Sequence, residues 1–166
     1  MVTRARRAGY SLVEVMITVA ILGIISSVGA TMMLSANRFF MLTKTRNDLQ
    51  KEARTALYVM TRELRQGTVA SITIDRLSAN QPFYSRITFA KIQGNTMVFE
   101  QSGHNLIQLD GTHKITLSTR VEYLAFTFPR SDQLSILGVS LTLQENTYQG
   151  QKKALHMASE QVQVMN

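Results

Sequence analysis

From Val15 to Ala36 the chain runs through 22 consecutive residues, VMITVAILGIISSVGATMMLSA, without a charge. At ~1.5 Å rise per residue, such a run makes a helix of roughly 33 Å. That is enough to cross the ~30 Å hydrocarbon core of a bilayer. One carboxylate, Glu14, stands at its head, and three arginines, Arg4, Arg6 and Arg7, precede it. A charge at the centre of a membrane helix costs roughly 2.5–3.5 kcal/mol on insertion scales and less near an end. An acid at the entrance therefore asks for a partner. A cut between Gly9 and Tyr10 would create one, because the new α-amine of Tyr10, with a reference pKa of about 7.7–8.0, is mostly cationic at neutral pH. Lying four residues before Glu14, that amine is expected on the same helix face.

The stretch R-x-R-R-A-G-Y-S-L-V-E-V, from Arg4 to Val15 and followed by the apolar run, resembles the class III, prepilin-type leader. Type IV pilins and the pseudopilins of type II secretion share that leader. The resemblance implies cleavage by a prepilin peptidase after Gly9 and N-methylation of Tyr10. It implies that Glu14, as fifth mature residue, sets filament register by meeting a neighbouring subunit's N-terminal amine. The family's usual first mature residue is Phe, and Tyr10 departs from it, which bears on methylation more than on the cut. Other readings of the stretch are an ordinary secretory signal with Val28-Gly29-Ala30 as a small-x-small site, a plain signal anchor, and the core helix of a soluble protein. The first two leave Glu14 or Gly9 without a role, and 22 uncharged residues exceed what a core helix needs.

The chain of 166 residues suits one domain plus an anchor. Its 18 Lys+Arg against 11 Asp+Glu give a formal net charge of +7. Three arginines belong to the leader, so the remainder keeps 15 basic and 11 acidic residues, a net +4. Spread along the chain, that is weak evidence for nucleic-acid binding. The leader arginines argue for a cytoplasmic N-terminus, although Arg38, Lys44, Arg46, Lys51 and Arg54 follow the run on its other side. No cysteine is present, which excludes a disulfide scaffold, a Cys-ligated zinc site and a cysteine nucleophile.

Between Ala36 and Gln66 there is no Gly or Pro. Phe39, Leu42, Leu49, Ala53, Ala56, Leu57, Met60 and Leu64 mark one face of a helix. One helix is expected from about Ser11 to Gln66, with Gly67 as its C′ residue and Arg62 and Arg65 in the last turn. Gly23, Gly29 and Ser26-Ser27 are soft points where it could bend. The segment M-T-R-E-L-R-Q, residues 60–66, is similar to the helix end of J-type minor pseudopilins and W-type minor pilins. By its residues alone it reads as a solvated last turn.

Beyond Gly67 the periodicity becomes two. Strands are expected at 71–74, 86–92, 96–101, 106–109, 114–118, 121–128 and 135–144, with turns at Gly94-Asn95, Ser102-Gly103 and Asp110-Gly111. Residues 76–85 and 145–153 read as loops. In residues 154–166 the apolar set changes face between Leu155 and Met157 on one side and Val162 and Val164 on the other, which suggests a bulge or two short strands.

Catalytic and phosphate-binding motifs are absent. His104, His113 and His156 are scattered, and Asp132, Glu145 and Asn146 are too sparse for a calcium cluster. Phe83, Tyr84, Phe89, Phe99, Tyr123, Phe126 and Phe128 lie near basic groups and would suit either a core or a stacking platform for single-stranded nucleic acid. The expectation is an α+β chain. Residues 1–9 form the leader, 10–37 the membrane-spanning or filament-core helix, 38–67 its amphipathic half, and 68–166 a periplasmic antiparallel β head. The resemblance implies no enzyme and no cofactor. It implies an inner-membrane, single-pass subunit whose partners are a prepilin peptidase, other minor and major pilins or pseudopilins, and the assembly platform. A signal-anchored periplasmic binding or enzymatic domain, or a DNA-uptake minor pilin, is the alternative.

Overall fold

The computed structural model describes residues 9–92, 94–147 and 153–164. A single helix, α1, runs over Leu12–Leu64 for 53 residues. The chain divides into two compact units, one ending at Met41 and the other beginning at Leu42.

In the first unit α1 is unbroken through Gly23, Gly29 and the Ser26-Ser27 pair, so the expected soft points leave the helix intact. It is apolar and long enough to cross a membrane, and its large side chains, among them Ile17, Ile21, Ile24 and Ile25, are exposed. The hydroxyls of Thr18, Ser27 and Thr31 each donate to a carbonyl one turn back, at 2.8 Å (Val15), 2.8 Å (Ile24) and 2.9 Å (Val28). These polar groups are therefore satisfied within the helix, as a lipid or helix-packed environment requires.

In the second unit the rest of α1 lays Leu49, Ala53, Ala56, Leu57, Met60 and Leu64 on two antiparallel sheets. Burial of each large side chain contributes about 1.5–3 kcal/mol. One sheet has the order β1 (Thr73–Asp75), β2 (Arg86–Ala90), β3 (Thr96–Ser102), β4 (Asn105–Asp110), β5 (His113–Ser118). The other has the order β6 (Val121–Thr127), β7 (Ile136–Asn146), β8 (Lys153–Gln163). The inward faces contribute Ile87, Phe89, Met97, Phe99, Leu106, Leu124, Phe126, Leu137, Val139, Leu141 and Leu143. The fold class is the expected α+β arrangement.

Gly103 (φ +62°) and Gly111 (φ +59°) occupy the turn positions of the β3–β4 and β4–β5 hairpins, where a side chain would be strained. Three local expectations are corrected. The β2–β3 connection spans residues 91–95 and is longer than a two-residue turn at Gly94-Asn95. Lys91 is drawn aside to bridge Gly67, and Ile92 N–H donates to Gln66 O at 3.0 Å. The last strand is one continuous β8, in register with β7 from Ile136↔Gln163 to Asn146↔Lys153. Its inward residues are Ala154, Ala158 and Val162, while Leu155 and Met157 are exposed apolar residues that mimic a change of face. Finally, Gly67 lacks the left-handed φ of a C′ glycine. It is needed because a Cβ there would stand 2.7 Å from Phe89 Cδ2.

Candidate functional site

The helix begins in a reciprocal cap. Ser11 Oγ accepts from Glu14 N–H at 3.2 Å, and Ser11 N–H donates to Glu14 Oε2 at 3.1 Å. Ser11 O takes the first helical bond, from Val15 N–H at 3.2 Å. This is the S-x-x-E capping box. It satisfies two of the four N–H groups that a helix start leaves open, at the end of a helix whose following residues are apolar. The carboxylate also lies in the first turn, where the helix dipole favours it. Oε2 is engaged by Ser11, and a carboxylate has further lone pairs on its second oxygen for another donor.

Gly9 and Tyr10 precede the helix and are exposed. Its chain neighbours aside, no atom of the described residues lies within 4 Å of the place a Gly9 Cβ would take. The Gly9–Tyr10 peptide is thus an accessible, non-helical bond one residue before the cap. In the uncut chain Tyr10 lies outside α1, next to the Ser11 cap. Ser11 takes up the nearer N-cap position and its backbone N–H holds the carboxylate. Arg4, Arg6 and Arg7 lie outside the described residues.

Residues 4–30 match the family model described as the prokaryotic N-terminal methylation motif. The match covers the start of the chain only, and the fold, a long N-terminal helix followed by an antiparallel β head, is pilin-like. The match takes in Gly9, Tyr10, Ser11 and Glu14 and stops within α1, and the helix and antiparallel head supply the rest of the likeness. The motif implies processing of this pilin-like chain by a prepilin peptidase. No curated protein and no solved structure matches the chain.

In the pilin-like head, the end of α1 departs from the expected solvated turn. Glu63 is buried, its side chain 8% exposed, and it receives Lys91 Nζ at 2.7 Å. Arg62 adds bonds from Nε at 3.0 Å and Nη2 at 2.6 Å. Burial pushes the Glu63 carboxyl upward. The hydrogen bonds and charges of Lys91 and Arg62 outweigh it and hold the group below the usual carboxylate range. Leu64 is fully buried beside it, whereas Arg65 is exposed. Asp75 is likewise held low by the guanidinium of Arg86, on the paired strand.

The two sheets meet through a buried glutamine. Gln101 Nε2 donates to Gly103 O at 3.1 Å and to Glu122 O at 3.3 Å, while its Oε1 accepts from Leu124 N–H at 3.0 Å. Sequence reasoning missed both Gln101 and the Glu63–Lys91 pair, since neither a lone Gln nor an R-E-L-R run signals burial.

Phe89, Phe99 and Phe126 are core, with the Phe89 and Phe99 rings stacked at 6.2 Å. Of the aromatic residues weighed as a stacking platform, Phe83, Tyr84 and Tyr123 are exposed. Arg76 covers the Phe83 ring at 4.2 Å from its centroid. His104 Nδ1 lies 2.9 Å from Val121 O in the β3–β4 turn. Glu145, weighed for calcium, is paired with Arg120, which also reaches Glu52 at 3.1 Å. Among the described residues no three His, Asp or Glu side chains converge as a metal site.

Proposed function

We propose that this chain is a minor pilin or pseudopilin subunit of the J-like or W-like kind, serving a type II secretion pseudopilus or a type IV pilus. Residues 1–9 are removed as a leader, with Arg4, Arg6 and Arg7 holding it on the cytoplasmic face. Tyr10 becomes the N-terminus and the site of N-methylation. The helix of residues 10–37 rests in the inner membrane and then exchanges lipid for neighbouring subunit helices. Residues 38–67 carry the periplasmic head, residues 68–166, which meets other minor subunits and primes assembly on the inner-membrane platform.

The observation that carries this reading is Glu14 in the first turn of α1, just ahead of the exposed, uncharged run from Val15 to Ala36 and just beyond an accessible Gly9–Tyr10 bond. Within one subunit Glu14 is occupied by Ser11 N–H. In a filament the second carboxylate oxygen receives the Tyr10 ammonium of a neighbour, and neutralising both charges away from water enforces one axial offset. The coupling of the two ions, rather than apolar contact alone, sets register, because apolar helices slide past one another at little cost.

The deciding experiment is the intact mass and N-terminal sequence of membrane-extracted protein, produced with and without a prepilin peptidase. A peptidase-dependent start at Tyr10, with or without one added methyl group, is the expected result. A start at Met1 in both samples identifies a signal-anchored protein, and a start at Thr31 a secreted soluble one. Either outcome overturns the proposal.

A further inference from the structure

Arg54, Tyr58, Arg62 and Arg65 succeed one another on α1 at steps of four, four and three, which places them on one helix face. They line a cavity of about 320 Å3 together with Leu57 and Thr61, and Glu160 of β8 closes its other side. Tyr58 is exposed. Arg62 is paired with Glu63, while Arg54 and Arg65 form no ion pair among the described residues. The cavity wall thus carries more positive charge than the single carboxylate of Glu160 offsets.

The same wall adjoins an open sheet edge. β8 pairs with β7 along all 11 of its residues, and no described strand covers its other side. An edge that long, without proline or bulge, offers a row of unpaired N–H and C=O groups and is normally blunted or covered. Residues of the same parity as Glu160, such as Ala158 and Val162, point inward to the core. A strand laid beside β8 would turn every second side chain to that inner side, over the arginine face.

We propose that the open edge of β8 and the arginine face of α1 together form a docking groove for an extended, acidic segment of a partner protein, bound by strand addition. Main-chain hydrogen bonds to β8 supply the anchoring, and carboxylates at alternate positions meet Arg54, Arg62 and Arg65. A second copy of this chain is a poor occupant. Its acids are isolated, the nearest pair being Asp48 and Glu52, both inside α1. A nucleic acid is a poor one too, since it has no peptide N–H and C=O groups to pair with the open strand edge. The inference depends on β8 and the end of α1 and not on leader processing.

The test is fluorescence anisotropy of a labelled nine-residue peptide of alternating Glu and Val, titrated with the full chain in detergent micelles. Saturable binding is expected, weakened on the order of tenfold or more in the Arg54→Glu/Arg65→Glu double variant. Both residues are exposed, and circular dichroism checks that the variant folds. The same peptide N-methylated at alternate residues, in the register facing β8, is expected to lose binding. Absence of saturable binding overturns the proposal, as does binding that survives charge reversal or N-methylation. Preference for a labelled oligothymidylate of equal length would transfer the site to nucleic acid and overturn it as well.

Discussion

Replacing Lys91 by Met removes the main cation from a carboxylate that the fold has taken out of water. Glu63 and Lys91 are 8% and 16% exposed at their side chains and 2.7 Å apart. Stripping one partner from a fully buried pair costs about 3–5 kcal/mol, because the other charge stays buried and uncompensated. Here Arg62, 54% exposed, keeps its bonds to Glu63, so the expected loss for Lys91→Met is about 2–3 kcal/mol. Glu63→Gln, which removes the charge and keeps an acceptor for Lys91, is expected to cost about 1 kcal/mol. The double variant should recover part of the Lys91→Met loss, giving a coupling of about 1 kcal/mol or more. Urea unfolding of the detergent-solubilised chain, followed by circular dichroism, reads this as a midpoint shift of roughly 1 M for Lys91→Met. The same pair fixes the pH response. Because the folded Glu63 carboxyl lies below its ordinary range, its stabilisation is complete above the unfolded value, about 4.3. It is lost as pH falls through the folded value. Wild type should therefore weaken more steeply than Glu63→Gln on acidification below about pH 4.3, with Asp75 supplying the part both share. Additive single losses together with superimposable acid profiles would refute the reasoning.

Four other outcomes are expected. Gly67→Ala drives a Cβ to 2.7 Å from the buried Phe89 ring and should cost about 1–3 kcal/mol by overpacking. Gly103→Ala, in open space at φ +62°, should lose only about 1–2 kcal/mol, both measured by urea unfolding. Gln101→Leu leaves Leu124 N–H and Glu122 O unpaired at the sheet seam and should cost about 1–3 kcal/mol, with faster amide exchange at Leu124. Glu14→Ala should leave cleavage after Gly9 largely intact while reducing recovery of the subunit in sheared filaments or pseudopili. Unchanged recovery would count against the register role.

Most of the architecture could be read from residue patterns, for a physical reason. Half-buried strands alternate, as β2 does through Ile87 and Phe89 and β7 through Leu137, Val139, Leu141 and Leu143. The motif at the head of the helix was readable for another reason: Gly9, Tyr10 and Glu14 lie within six residues of chain, inside the stretch that matches the N-terminal methylation motif. What escaped depends on partners distant in sequence. Nothing local distinguishes Gly67 as a residue that yields to Phe89, or Gln101 as the seam between sheets. Glu63 sits among arginines and looks solvated until Lys91 comes across from the end of β2. The edge of β8 misled for the opposite reason, since Leu155 and Met157 are apolar where the solvent face calls for polar residues.

The strand order has a kinetic consequence. In each sheet every strand lies beside its neighbour in sequence, so each ladder closes over a short stretch of chain. Loops of that length are cheap to close, and topologies built from near neighbours form fast. A head emerging gradually from its helix end could zip β1 to β5, and then β6 to β8, in order of appearance. The long helix is the exception. Leu49 to Leu64 are made before the strands, yet the core they belong to also draws on Val162 and Val164, which arrive only at the end of β8. That interval, rather than any strand pairing, is when the emerging head would be most open to holdase chaperones and to aggregation.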